Sequence, residues 1–175
     1  MKIIGLIGYS GSGKTYLITN AIRKLKKEYN LDSTVFKYIH EHEVDKKGKD
    51  TYKYIESGAQ FSITRNAYNE TAIILKKEIS NDNLISWIKR APLKTDILFF
   101  EGFRDLDIPM ILCLREEKDL EKQMNNNIRA ISGKIIANNK QKAISGYPLI
   151  NIEKEKNEVY ILKNIFQLEY PKAKK

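Results

Sequence analysis

Eight consecutive residues near the start of the chain, Gly8-Tyr9-Ser10-Gly11-Ser12-Gly13-Lys14-Thr15, have the types and spacing needed to hold a row of phosphates. Glycines lack Cβ and reach backbone angles closed to other residues. Successive N–H groups can then point inward and form a concave nest for anionic oxygens. A helix that begins at Lys14 adds its unpaired N–H groups and the positive end of its dipole. Lys14 offers a cation to β and γ phosphates, and Thr15 offers a hydroxyl to Mg²⁺, which takes oxygen ligands and keeps several waters. The spacing Gly-x-x-x-x-Gly-Lys-Thr is that of a P-loop. The expected ligand is therefore a nucleoside triphosphate with Mg²⁺.

Such a loop needs an acidic side chain at the end of a neighbouring strand to serve the metal, directly or through water. Glu101 ends the apolar run Ile97-Leu98-Phe99-Phe100, and Gly102 leaves room behind it. Acids also occur in the polar segment His40-Glu41-His42-Glu43-Val44-Asp45, with Lys49 and Asp50 further on. His40 and His42 are the only histidines. They suit the wall of a ligand cleft, as hydrogen-bonding or charge-tunable groups. A zinc site is the rival reading, although no cysteine accompanies them. Lys49 either reaches phosphate, within one protomer or across a dimer, or is a plain surface lysine. Asp45, Asp50 and His42 are each candidates to orient a hydrolytic water.

The elements that must position these residues follow from the hydrophobic pattern. Lys2 to Gly8 is an apolar run without alternation, as expected of a strand buried on both faces. A helix is predicted from about Lys14 to Tyr29, with Leu17, Ile18, Ala21, Ile22 and Leu25 on one face. Ser33 to Ile39 reads as a second strand, and Thr51 to Ser57 as a short helix. Phe61 to Arg65 and Thr71 to Leu75 flank the turn-like Asn66-Ala67-Tyr68-Asn69 and read as a hairpin. Leu84, Ile85, Trp87 and Ile88 mark an amphipathic helix after Asn81-Asp82-Asn83, with Trp87 read as core. Asp96 to Phe100, Met110 to Leu114 and Gly133 to Ala137 are predicted strands, and Asn151 to Leu168 a last helix. Strands alternating with helices argue an α/β fold, a mainly parallel sheet flanked by helices on both faces. Ligands of such sheets sit at the carboxyl ends of the strands.

The 175 residues carry no repeat or Gly/Ser-rich linker and read as one nucleotide-binding domain, 1–175. One cysteine, Cys113, excludes an intrachain disulfide and suits a reduced, cytoplasmic setting. It lies in an apolar strand, where a thiol behaves as a small hydrophobe. No apolar stretch approaches a membrane span, so no membrane partner is expected. The net charge is +9, from 31 basic and 22 acidic side chains. Most of the lysines are scattered as on solvated helix faces, and no nucleic-acid-binding motif accompanies them.

The P-loop Gly8 to Thr15, the segment Lys37-Tyr38-Ile39-His40-Glu41-His42 with Asp45, then Gly48-Lys49-Asp50-Thr51-Tyr52 with Ser57-Gly58-Ala59, and finally Glu101-Gly102-Phe103 together resemble the molybdopterin-guanine dinucleotide biosynthesis protein B (MobB) family. Order and spacing match over roughly residues 1 to 115. The resemblance implies a P-loop NTPase fold and a dimeric GTP-binding accessory protein. Such a protein assists attachment of GMP to molybdopterin beside a molybdopterin guanylyltransferase, and its own GTP hydrolysis is weak. The glycine at Gly11 likewise resembles the P-loop branch that often works as nucleotide-gated dimers. By resemblance, Gly8, Tyr9, Ser10, Gly11, Ser12, Gly13, Lys14 and Thr15 bind the triphosphate, and Thr15 and Glu101 serve Mg²⁺. The loop His40 to Asp45 then faces the nucleotide or molybdopterin. Two departures stand out: Glu41 separates histidines that are often adjacent in the family, and Arg104 follows Glu-Gly-Phe as the basic residue.

Guanine preference is not written in the residues. Asn138-Asn139-Lys140 follows a late apolar run, where P-loop GTPases often carry Asn-Lys-x-Asp, but no aspartate stands at the matching position. The rival enzyme reading is a P-loop small-molecule kinase using ATP. It would want clustered arginines, and the six arginines are dispersed in sequence. A nucleic-acid-binding module, prompted by charge alone, would show steeply salt-dependent binding.

Overall fold

The computed structural model describes residues 1–138 and 141–153. The chain forms two compact units, one from Met1–Tyr38 and the chain from Ala91 onward, the other from Ile39–Arg90. No composition shift at either boundary marks this division, which is why the sequence reads as one domain.

The first unit is built on a five-stranded sheet in the order β2-β5-β1-β6-β7. Its strands are β1 (Lys2–Ile7), β2 (Ser33–Lys37), β5 (Ile97–Glu101), β6 (Met110–Cys113) and β7 (Ile128–Ser132). All four pairings are parallel. The central strands lack alternation because both faces are covered: β5 and β6 are buried at every position, and β1 from Ile4 onward. Ile111 and Cys113 join Ile4, Leu6, Ile97 and Phe99 in one core cluster. Met110, Leu112 and Leu114 join Ile7, Ile128 and Ile131 in another. Helix α1 (Lys14–Tyr29) packs Leu17, Ile18, Ala21 and Leu25 into the first cluster. Ile22 is only half-buried against it. Truncating Leu17 or Leu25 to alanine removes a fully buried anchor, a change that typically costs about 2–5 kcal/mol. The helix stops where Asn30 turns left-handed, with φ 52°.

One sequence expectation fails in this unit. The expected strand Gly133 to Ala137 is instead helix α4 (Ile135–Asn138), and the strand lies one step earlier as β7. Exposed Arg129 interrupts the apolar run Ile128 to Ile131 and hides its strand character, while Gly133, at φ 99°, ends the strand. A short hairpin of β8 (Ala143–Ile144) and β9 (Tyr147–Pro148) follows. The expected last helix lies outside the described residues beyond Glu153, and Asn151 to Glu153 are not helical.

The second unit holds α2 (Asp50–Glu56), the antiparallel hairpin β3 (Ser62–Arg65) and β4 (Thr71–Ile74), and α3 (Asn81–Arg90). The hairpin turn is closed by Asn66, whose Oδ1 accepts the Tyr68 and Glu70 amides at 2.9 and 3.0 Å. Asn69 takes a left-handed φ of 64°, which an asparagine tolerates. Lys76 ties hairpin to helix, 3.2 Å from Glu56 and 3.3 Å above the Tyr52 ring. Trp87 is not core: it is 51% exposed, and Ile88 is the buried residue of α3.

Candidate phosphate-binding site

The glycine loop leaves the carboxyl end of β1, the middle strand of the sheet, and enters α1 directly. No side chain caps α1, and no acidic residue occupies its first turn, so nothing in that turn would compete with an anion for its amino-terminal N–H groups. Gly8 sits at φ 146°, and a Cβ there would lie 2.2 Å from the Cys113 carbonyl oxygen and 2.6 Å from Ser12 Oγ. Only glycine lets the loop pack this closely against the end of β6. Ser12 is buried, and its Oγ has no hydrogen-bond partner. A buried hydroxyl left unpaired is costly, and one in a phosphate-shaped loop suits a missing anionic acceptor.

Lys14 folds back over this loop. Its Nζ donates to the Gly8 and Tyr9 carbonyls at 2.8 and 3.0 Å. Burial lowers its pKa below the usual lysine value; the nearby Glu101 carboxylate opposes the shift, while Arg104 and Lys37 add to it. Thr15 Oγ1 donates to Glu101 Oε1 at 3.3 Å. Strand register explains the meeting: Glu101 pairs with Leu6 of β1 on one side and Lys37 of β2 on the other. Lys37 Nζ stands 3.8 Å from Glu101 Oε1. Glu101 is itself buried, and Gly102 turns away at φ 92°.

Sequence reasoning missed Arg115 and Gly133, and named Arg104 only as the basic residue after Glu-Gly-Phe. Arg115 follows β6 and donates to the Ser10 carbonyl. Arg104 lies 5.9 Å from the Tyr9 ring and is held by Gln123 Oε1 at 3.0 Å. Two of the six arginines therefore meet the glycine loop, although none cluster in sequence. Their signal was position, since both follow parallel strands at their carboxyl ends. The other missed residue is Gly133. The Lys134 amide beside it donates to the Ser12 carbonyl at 3.0 Å. A Cβ on Gly133 would stand 2.5 Å from the Ser12 carbonyl oxygen and 2.7 Å from that of Leu114.

The remaining expected site residues fall in the second unit. Asp45 is buried; its Oδ1 accepts from Thr51 Oγ1 and the Lys46 amide, both at 3.0 Å, and its Oδ2 has no partner. It thereby ties the loop to α2. His42 Nδ1 lies 3.2 Å from the Glu43 carbonyl. Lys49 precedes α2, and Asp50 pairs with Lys53 at 3.2 Å. Among the described residues no group of three or more His, Cys, Asp or Glu is placed to hold a metal ion, so the zinc reading of this loop finds no donor set. Cys113 behaves as the sequence suggests: it is fully buried, and burial pushes its thiol up to about 12. No helix among the described residues is long and apolar enough to cross a membrane.

A central parallel sheet, a glycine loop between its middle strand and the first helix, and a lysine folded over that loop define an α/β P-loop NTPase-like fold. The chain belongs to the family described as molybdopterin guanine dinucleotide synthesis protein B (MobB), whose model matches residues 3–136. It is 36% identical over 119 residues to a molybdopterin-guanine dinucleotide biosynthesis adapter protein from Haemophilus influenzae. That match covers 67% of this chain and 65% of the relative. A relative from Methanocaldococcus jannaschii is 32% identical over 122 residues, 67% of this chain and 49% of its own length. The chain thus matches between about half and just under two thirds of the length of these relatives. Among solved structures it resembles Bacillus subtilis MobB, with a TM-score of 0.72 at 25% identity, covering 97% and 99% of the two chains. A MobB homologue from Bacillus stearothermophilus shares the fold at a TM-score of 0.66 and 18% identity, covering 95% and 99%.

Proposed function

We propose that this protein is a GTP-binding accessory protein of molybdopterin guanine dinucleotide biosynthesis, with weak Mg²⁺-dependent GTPase activity. The observation that carries the nucleotide reading is the meeting of Lys14, Thr15 and Glu101 at the mouth of an uncapped glycine loop. The residues fit the ligand: a buried Ser12 hydroxyl lacks a partner, and Gly8, where any Cβ would clash with the Cys113 carbonyl, lets the loop curl tightly at the end of β1. Thr15 and Glu101 would hold Mg²⁺, whose role is to neutralise charge on the β and γ oxygens. Lys14, Lys37, Arg104 and Arg115 would then face the polyphosphate.

Slow turnover fits the same residues. Hydrolysis requires a group that orients water. Gln123 is buried and spent on Arg104 and the Asp119 carbonyl. The roles of His40, His42 and Asp45 toward nucleotide or molybdopterin rest on the family resemblance, and those of Lys49 and Asp50 on their residue types and place in the chain. So do the guanylyltransferase partner and the homodimer. Exposed apolar side chains on the hairpin, Phe61, Ile63 and Tyr68, support a protein contact there. The test is a titration of the purified protein with GTP, with and without Mg²⁺, followed by molybdopterin and then the guanylyltransferase. Saturable Mg²⁺-dependent GTP binding and capture of the transferase are expected, and absence of both would refute the proposal.

The kinase alternative draws on one observation, the two arginines at the loop. Rapid ATP-dependent phosphorylation of a metabolite would favour it.

A further inference from the structure

A cavity of about 310 Å³ opens beside the glycine loop, within the size range of ligand pockets. Gly13, Tyr16 and Leu17 form one side of it, and Gly133, Ala137 and Glu153 line the other. We propose that this cavity seats the base of the nucleotide and that the Glu153 carboxylate selects guanine there. The inference rests on the nucleotide reading above and adds its specificity element.

Position is the first argument. Gly13 belongs to both the glycine loop and the cavity wall. The opposite wall is bonded to the same loop, through the Lys134 amide and the Ser12 carbonyl. A Cβ on Gly13 would lie 3.3 Å from the Gly133 Cα, so the two backbones are in contact. Phosphates held over Gly8 to Thr15 leave the nucleoside on the flank of α1, where the cavity begins. It also lies past the carboxyl end of β7, where ligands of parallel sheets bind.

Chemistry is the second. Leu17, Ala137 and Ile152 offer apolar surface to the faces of a flat ring. The polar lining includes Tyr16, Ser132, Lys134 and Asn151 as well as Glu153, and of these only Glu153 is an acceptor-only group when ionised. Asn151 Oδ1 accepts the Glu153 amide at 2.9 Å and fixes the backbone that carries the carboxylate. Its Oε1 accepts a hydrogen bond from the Tyr16 hydroxyl. Guanine presents two adjacent donors, N1–H and the 2-amino group, which can replace that hydroxyl. Adenine presents a lone pair at N1 and would face the carboxylate with repulsion. This supplies the discrimination that the Asn138-Asn139-Lys140 stretch lacks.

The test is to titrate the full chain with GTP, ITP, ATP and tripolyphosphate in Mg²⁺, as wild type, Glu153→Gln and Tyr16→Phe. Wild type is expected to prefer GTP over ATP by about tenfold or more, with ITP between, as a charged hydrogen bond at an exposed cavity mouth allows. Glu153→Gln should lose about tenfold for GTP while tripolyphosphate binds within twofold of wild type, which also reports an intact fold. Tyr16→Phe should keep the GTP preference. Equal GTP and ATP affinity in wild type, or an unchanged preference in Glu153→Gln, overturns the guanine site alone. Failure of every nucleotide and of tripolyphosphate to bind wild type overturns the underlying nucleotide reading as well.

Discussion

Thr15 Oγ1 and Glu101 Oε1 stand 3.3 Å apart although 86 positions separate them in sequence. Under the proposed function, this hydroxyl and carboxylate would supply two of the oxygens around Mg²⁺. Glu101→Gln keeps the shape and removes the charge. Wild-type GTP affinity is expected to rise at least tenfold when EDTA is replaced by Mg²⁺. In the variant that ratio should fall toward one, while metal-free affinity holds or improves because a negative charge has left the loop. Calorimetry in the two buffers measures both.

Gly133 lies outside the loop motif yet should be as intolerant as a motif glycine. Alanine there would meet two carbonyl oxygens at 2.5 and 2.7 Å and would hold a φ of 99°. Strain and overpacking together are expected to cost about 2–4 kcal/mol. Urea unfolding of Gly133→Ala reads this directly, with Gly146→Ala as the comparison, since a Cβ at Gly146 meets nothing within 4 Å.

Burial of Cys113 makes stability depend on alkaline pH. Its thiol titrates near 12 in the folded chain against an ordinary 9.0. Between those values the unfolded chain has released the proton and the folded chain has kept it. The unfolded state therefore binds fewer protons, and stability falls as pH rises. The slope from this one group is at most about 1.4 kcal/mol per pH unit. Denaturation midpoints of wild type and Cys113→Ala, followed from pH 8 to 11, should diverge at low pH and approach each other as pH rises.

If the hairpin carries the dimer contact, Ile63→Asp should dissociate it. Ile63 is 61% exposed, so the monomer loses little by the change. Sedimentation at matched concentrations is expected to show a dimer for wild type and a monomer for the variant, with GTP binding to the glycine loop retained.

Much of the first unit was legible because local signals agreed with tertiary ones. Gly13 and the pattern from Leu17 to Leu25 bound α1 at Lys14 and Tyr29, and the unbroken apolar runs marked β1, β5 and β6. Glu101 was readable because a charge ending such a run has few structural uses. The failures had opposite causes. Arg129 broke the pattern of β7, and the apolar Ile135-Ile136-Ala137 imitated a strand where Gly133 had already ended one. Trp87 kept helical spacing but fell outside the narrow buried face of a ten-residue helix. Arg104, Arg115 and the cavity beside α1 depend on strand order, which the spacing of residues along a chain does not contain.

The most direct measurement is GTP binding in Mg²⁺ by wild type and Lys14→Ala. Lys14 Nζ donates to two carbonyls of the loop itself, at 2.8 and 3.0 Å, so its loss should leave the sheet and its core intact. A fall in GTP affinity of about a hundredfold or more is expected, as for removal of a charged partner from a phosphate. GTP affinity equal in the two proteins, with the variant folded, would contradict a phosphate seat at Gly8 to Thr15.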